Sequence, residues 1–400
     1  MTASRTTAAE RTGTSLSRAL TLAHTQQAAL RTDFTEQLGL TRTATGLVLR
    51  ELETLSLIHT GTTSRAHPGV PTTGRPSHTV EIHPDAPTVL AVAVQAKSVL
   101  IAQARLGGLL GPVDEIALPE PADPDAVLGL IAHLLMPRLG STGRPPFSVG
   151  LALPSAVGSD GMALAAHPLG WPPAVPVRRL LAGLLKPAGF GEISLHIGND
   201  ANLAALAESR HGAGRGAAQM LFVMTGQVGV GGGLVIDGRL HLGSAGFALE
   251  IGHTPLRRGK RPCRCGNRGC LDVEADPIAL LDAAGLTTTE PTLAAARSVI
   301  ARRHVDPRAR AATVLVTQRL AGGLASMINI LNPDRVVLGG LHADLLAAEQ
   351  DRLRTGLRKH SFLQQAAQIE LRPAELASSA LAGAAEIALQ PLLDDPRLLG

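Results

Sequence analysis

Over residues 1–84 the apolar positions recur at helical spacing. "SLSRALTLAHTQQAAL" predicts one helix and "TDFTEQLGL" a short second one that Gly39 closes. In "TRTATGLVLRELETLSLI", Thr41 is a natural N-cap, and Ala44, Leu47, Val48, Leu52 and Leu55 fall on one face of a longer third helix. Helix, glycine turn and longer helix make a helix-turn-helix pattern. Two short runs, "LIHT" and "SHTVEIHP", then read as the strands of a wing around the loop "GTTSRAHPGVPTTGRP".

From Thr88 the pattern changes to alternating strands and helices. "TVLAVAV" and "VLIAQARL" are β-rich runs that pair, a helix follows near "PDAVLGLIAHLLM", and "FSVGLALPSAV" is a buried strand. "EISLHIGNDANLAALAES" reads as strand, turn and helix, with Asn199 and Asp200 at the carboxyl end of the strand, where ligands of α/β sheets bind. The glycine-rich "MLFVMTGQVGVGGGLVIDGRLHLG" does not open a helix, which a dinucleotide fingerprint must do. Its Asp237-Gly238 pair lies between two β-rich runs and signals a hairpin instead. The fold class expected is therefore α/β, with a helical and winged N-terminal domain (1–84) and an α/β domain (85–400).

The polar side of the third helix suggests a partner. Arg42, Thr43, Thr45 and Gly46 are short or bidentate groups of the kind that approach base edges in a major groove, and Arg50 extends the set along the helix. Arg75, within "GRP", suits a narrow and negative minor groove. Net charge does not decide the matter: residues 1–84 hold eight Arg against six acids. A plain helical packing domain with a solvated loop is the alternative.

All three cysteines of the 400-residue chain lie in "CRCGNRGC", Cys263 to Cys270. An odd number is no closed disulfide framework. No signal peptide is evident in "MTASRTTAAERTGTSLS", and the greasiest run read, "AVLGLIAHLLM", is too short to span a membrane. These features point to a reducing cytoplasm, where clustered thiols more often hold metal. His253, ten residues upstream, completes a set of three thiolates and one imidazole that suits one structural zinc.

"EIGHTPLRRGKRPCRCGNRGCLD" resembles the signature of the ROK family, which groups repressors, uncharacterised frames and sugar kinases. "GNDANLAALAE", "VGVGGGLVIDGRLHLGSAG" and "MINILNPDRVVLGG" are similar to further segments of that family, over residues 88–395. The resemblance implies a two-lobed, actin- and hexokinase-like (ribonuclease H-like) domain with a sugar in its cleft. It implies zinc on His253, Cys263, Cys265 and Cys270, and sugar hydroxyls on Asn199, Asp200, Glu250, His253 and an acid after the last cysteine. That acid is Asp272, where the family usually has Glu, and Pro168 stands where family kinases tend to have a sugar-contacting Asn.

In a kinase of this family Asp200 would be the general base. Its phosphate loop, however, reads Asp-x-Gly-Gly-Thr, and here Ala93 and Gln95-Ala96-Lys97 occupy the equivalent positions. Gln227 and Val228 likewise replace a Gly-Thr that contacts phosphate. The expected function is a DNA-binding transcriptional regulator, a repressor by preference, whose catalytically inactive domain responds to a sugar or sugar derivative. Its partners would be an operator duplex, the sugar effector and a second copy in a homodimer or dimer of dimers. A sugar kinase with a fused DNA-binding domain, and a repressor controlled by a partner protein, remain as alternatives.

Overall fold

The structure is a computed structural model that describes residues 8–26, 28–62, 78–141, 144–286, 293–362 and 369–399. The N-terminal segment comprises α1 (Ala8–Gln26), β1 (Ala28–Leu30), α2 (Arg31–Leu38), α3 (Arg42–Thr54), β2 (Ile58–Thr62) and β3 (His78–Ile82). Gly39 ends α2 in the left-handed conformation, and Thr41 caps α3 by accepting from the Ala44 amide. β2 and β3 pair antiparallel as expected, and β1 adds a third strand on the other side of β3, which the sequence did not reveal.

The phase of α3 differs from the expected one. Its buried stripe is Thr45, Val48, Leu49 and Leu52, while Leu47 is 62% exposed. Positions 45, 48, 49 and 52 make an unbroken i, i+3, i+4, i+7 stripe once Thr45 is counted as apolar. Thr45 can be buried because its hydroxyl bonds back to the Thr41 carbonyl. Thr45 is therefore a core residue and not available to DNA.

The first lobe contains β4 (Thr88–Val94), β5 (Ser98–Arg105), β6 (Leu109–Leu110), β7 (Asp114–Ala117), α4 (Pro124–Leu139), β8 (Ser148–Leu153), α5 (Val177–Leu185), β9 (Ser194–Asn199) and α6 (Asp200–His211). The second contains β10 (Gln219–Thr225), β11 (Val230–Ile236), β12 (Arg239–Leu240), α7 (Leu271–Glu274), α8 (Pro277–Ala283), α9 (Leu293–Arg302), α10 (Pro307–Leu331), β13 (Arg335–Gly339), α11 (Leu341–His360) and β14 (Glu370–Pro373). α12 (Ser379–Asp394) then returns to pack on β4, β8, β9 and α6.

The two sheets share one topology. Their strand orders are β6-β5-β4-β8-β9 and β12-β11-β10-β13-β14, each an antiparallel meander whose first strand continues into two parallel neighbours, and β7 pairs β5 as an extra strand of the first sheet alone. β4 shows why such strands read as unbroken apolar runs. Leu90, Val92 and Val94 face α4 and α5, whereas Val89, Ala91 and Ala93 face the side covered by α12. That second side also takes in Leu16, Leu20, Phe34, Leu49 and Leu52 from the N-terminal helices, so one core joins the helix-turn-helix to the first lobe. Among the described residues α10 has the length and apolar composition to cross a membrane; its Val316, Leu320, Ala321 and Leu324 are buried in the second lobe's core.

Candidate functional site

A cavity of about 440 Å³ lies between the lobes. β9 and α6 build its first wall. Asn199 caps α6, its Oδ1 accepting the Asn202 amide at 2.9 Å while its Nδ2 donates to the Ser155 carbonyl at 3.0 Å. The cap places Asp200 in the first turn of α6, where it takes the Ala201 amide at 2.8 Å. Burial raises the Asp200 carboxyl to about 6, with repulsion from Glu250 adding to it and the Ala201 amide opposing.

The facing wall is the β10–β11 hairpin and the turn after it. Asp237 and Gly238, both at positive φ, make the tight turn between β11 and β12. The glycines before it serve packing: a side chain at Gly231 or Gly233 would collide with Ala201 or Ala205 on α6. Leu249 holds a left-handed φ of 67° just before Glu250, which opens onto the cleft ahead of the single 3₁₀ turn Ile251–His253. The Glu250 carboxyl is also raised, first by desolvation in the cleft and then by Asp272, with His253 opposing.

His253, Cys263, Cys265 and Cys270 come together with all donor atoms within 4.8 Å of one another, a set able to hold a metal ion. Cys263 Sγ lies 3.6 Å from His253 Nδ1, and Cys265 Sγ 3.7 Å from Cys270 Sγ. Tetrahedral donors around one ion, at roughly 2.3 Å for sulfur and 2.0 Å for nitrogen, stand about 3.5–3.8 Å apart, so the residues fit the group. Gly266 and Gly269, at φ of 91° and 72°, turn the chain between the thiols. In the chain's own thiols, burial and the neighbouring sulfurs push Cys270 up to about 12, whereas the Asn267 amide lowers Cys265.

Asp272 follows this loop and accepts the Val230 amide at 2.8 Å, tying the thiol cluster to the hairpin while still lining the cleft. Buried Glu274 was not foreseen from sequence. Its Oε1 takes the Lys260 and Arg261 amides at 2.7 and 3.0 Å, and Arg319 pairs with its other oxygen at 2.8 Å. Asp276, buried at the cleft wall as the N-cap of α8, is raised to about 6 by burial; only the "DP" before an apolar run hinted at it. Across the mouth, Arg264 of the thiol loop donates to the His167 carbonyl of the first lobe at 3.1 Å, next to Pro168.

The two altered turns also line this cavity. Ala93 is an apolar core position, 3% exposed. The β4–β5 turn is closed by the Gln95 amide on the Ser98 carbonyl, with Ser98 Oγ reaching Glu115 at 2.7 Å. Gln227 Oε1 accepts the Leu293 amide at the start of α9, at 2.9 Å. In the N-terminal segment, α3 presents Arg42, Thr43, Leu47 and Arg50 outward. A side chain at Gly46 would collide with the Arg31 guanidinium, which lies across that face from α2. Arg75 lies outside the described residues.

Two sheets of one topology, a deep interlobe cleft and paired carboxylates at its walls define a sugar-kinase-like α/β domain joined to a helix-turn-helix. A family model described as "ROK family" matches residues 114–391, and the chain belongs to the ROK family. It is 26% identical over 275 residues to the xylose repressor of Caldicellulosiruptor bescii, covering 65% of this chain and 67% of that one. It is 37% identical over 158 residues to a glucokinase of Halalkalibacterium halodurans, covering 36% and 48%. The chain thus spans about half to two thirds of the length of these relatives. Among solved structures, a ROK family transcriptional regulator, homolog of E. coli MLC protein, superposes with a TM-score of 0.74 at 22% identity over 96% of this chain and 97% of the other.

Proposed function

We propose that the protein is a sugar-responsive transcriptional repressor of the ROK family. The observation that carries this is one chain holding both a helix-turn-helix with a polar, exposed face and a cleft that keeps Asp200 and Glu250 while its own side chains occupy the phosphate turns. In this reading residues 1–84 form a winged helix-turn-helix and residues 85–400 the sensor. Arg42, Thr43 and Arg50 meet the major groove, and Arg75 the minor groove. Thr45 drops out of the set.

Asn199, Asp200, Glu250, His253 and Asp272 face the sugar. Carboxylates accept hydrogen bonds from several hydroxyls at once, and charge assistance strengthens them. His253, Cys263, Cys265 and Cys270 hold one zinc, which braces the loop that carries His253 and Asp272. Ala93 in place of an acid and Gln227 tied to Leu293 argue against a nucleotide's phosphates in these turns and support a non-catalytic reading. A palindromic operator calls for a homodimer or dimer of dimers, in the cytoplasm and on the nucleoid.

Asp200, raised to about 6, also suits a general base, and the glucokinase relative favours a kinase on that ground. One set of measurements separates the readings. Duplexes enriched from random sequence should yield a site bound well above bulk DNA, and D-xylose or D-glucose should raise the melting temperature without ATP turnover. Sugar-dependent ATP consumption lost in Asp200→Ala establishes the kinase instead. Operator binding with no melting shift on any sugar favours a repressor governed by a partner protein.

A further inference from the structure

A buried polar cluster at the seam between the N-terminal segment and the first lobe belongs to neither the cleft nor the thiol loop. His24, near the end of α1, is fully buried, with Nε2 at 2.8 and 3.1 Å from the two oxygens of Glu386 in α12. His211, the last residue of α6, sets Nε2 3.0 Å from Glu386 Oε1 and 3.3 Å from His24 Nε2. Arg210 Nη1 donates to Glu386 Oε2 at 2.7 Å. The Gly107 amide, in the turn after β5, donates to His24 Nδ1 at 2.8 Å.

Two histidines and a glutamate can also hold a cation, but the hydrogen bonds oppose it. The Gly107 amide needs a lone pair on His24 Nδ1, so the neutral ring carries its proton on Nε2, aimed at Glu386. A metal on Nε2 would move that proton to Nδ1, against the amide. Arg210 adds a positive charge to the same carboxylate. The cluster is instead a closed joint in which one carboxylate gathers donors from two other helices. Burial keeps His24 neutral despite Glu386. Burial alone would raise Glu386, but His24, His211 and Arg210 hold it well below the usual carboxylate range.

α6 connects this joint to the cleft. It opens with Asp200 and closes with Arg210 and His211, twelve residues spanning roughly 17 Å at 1.5 Å each. It is buried along most of its length, and α12 lies so close that a side chain at Gly383 would fall 2.0 Å from the Leu203 carbonyl. Packing this close resists any slip of one helix against the other. We infer that the His24–Glu386–Arg210–His211 cluster is the coupling joint through which sugar at Asp200 sets the placement of the helix-turn-helix. This rests on the sensor reading above. A ligand shifts DNA affinity only by its differential affinity for two placements, and this joint is where α6 and α12 grip α1.

The test uses the full chain and two substitutions of His24, a residue that touches neither DNA nor sugar in this reading. His24→Asn keeps an acceptor near the Nδ1 position for Gly107 but withdraws the donor from Glu386; His24→Gln keeps a donor near the Nε2 position. Affinity for the enriched duplex is read by fluorescence anisotropy with and without D-xylose or D-glucose, and sugar affinity by calorimetry. In His24→Asn the ratio of DNA affinities with and without sugar should fall to within about twofold of one, with sugar affinity held within about threefold. His24→Gln should keep most of the wild-type ratio. A His24→Asn protein that binds sugar and shows the full wild-type ratio overturns the inference. If His24→Asn does not fold, His211→Ala at the rim of the joint removes one of the two α6 donors to Glu386, leaving Arg210 in place, and is judged by the same ratio. A wild type with no sugar-dependent ratio removes the sensor reading, and the coupling joint with it.

Discussion

Replacing Asp200 with Asn removes a negative charge from the cleft wall while leaving an oxygen for the Ala201 amide, which now sits 2.8 Å from Oδ1. Burial first, and Glu250 next, raise the Asp200 pKa from 3.8 to about 6 in the folded chain. A raised carboxyl holds its proton more tightly folded than unfolded. Its contribution is therefore most favourable below about pH 4 and is lost as pH rises through about 6. Above that, the ionised group costs up to about 3 kcal/mol, some two pKa units at 1.36 kcal/mol each. Asp200→Asn should raise stability at pH 7.5 by up to that amount, and the gain should fade between about pH 6 and pH 4. Urea unfolding at stepped pH, followed by the fluorescence of Trp171, the single tryptophan and buried in the first lobe, measures it. Sugar affinity should fall in the same variant, since a neutral amide accepts hydroxyl hydrogens more weakly than a carboxylate. Equal unfolding midpoints at pH 7.5, or a gain that does not vary with pH, would refute the reasoning.

The two faces of α3 give a paired expectation. Thr43→Ala and Arg50→Ala should each weaken operator binding by about 1–3 kcal/mol at unchanged melting temperature; Thr45→Ala should lower the melting temperature and leave operator discrimination alone, with gel shift and calorimetry as readouts. Cys265→Ser should lose the metal by elemental analysis, where the parent carries about one zinc per chain, and all three thiols of a metal-free parent titrating freely would defeat the expectation. Gly383→Ala, with no room beside the Leu203 carbonyl, should destabilise by more than about 2 kcal/mol in urea unfolding.

What could be read from sequence was whatever depends on near neighbours. Cys263, Cys265, Cys270 and His253 lie within one short span, so their convergence needs no knowledge of the fold, and the same holds for Gly39, Thr41 and the Asp237-Gly238 turn. The paired strands β2 and β3 and the helix-turn-helix followed from such local signals. Contacts made across the fold were harder. Gly231 and Gly233 resemble a ligand-binding run, yet their missing side chains make room for Ala201 and Ala205, some thirty residues earlier. Thr45 is polar by type, and only the geometry of its back-bond makes it core, which turned the stripe of α3 by one position and left Leu47 outward. The shared strand order of the two lobes was not legible either, because topology constrains where strands lie and not which aliphatic residue fills them.

His24, His211 and Glu386 are the extreme case: nothing in the local pattern of any of the three helices links them, and they meet only because α1, α6 and α12 do. A buried, fully bonded ionic group of this kind contributes little net stability compared with an apolar packing. It is, however, directional, and three helices can satisfy it in only a narrow range of placements. The same property that hides it from sequence inspection makes it sensitive to a small shift of α6, which is what the coupling proposed above requires between the cleft and the helix-turn-helix.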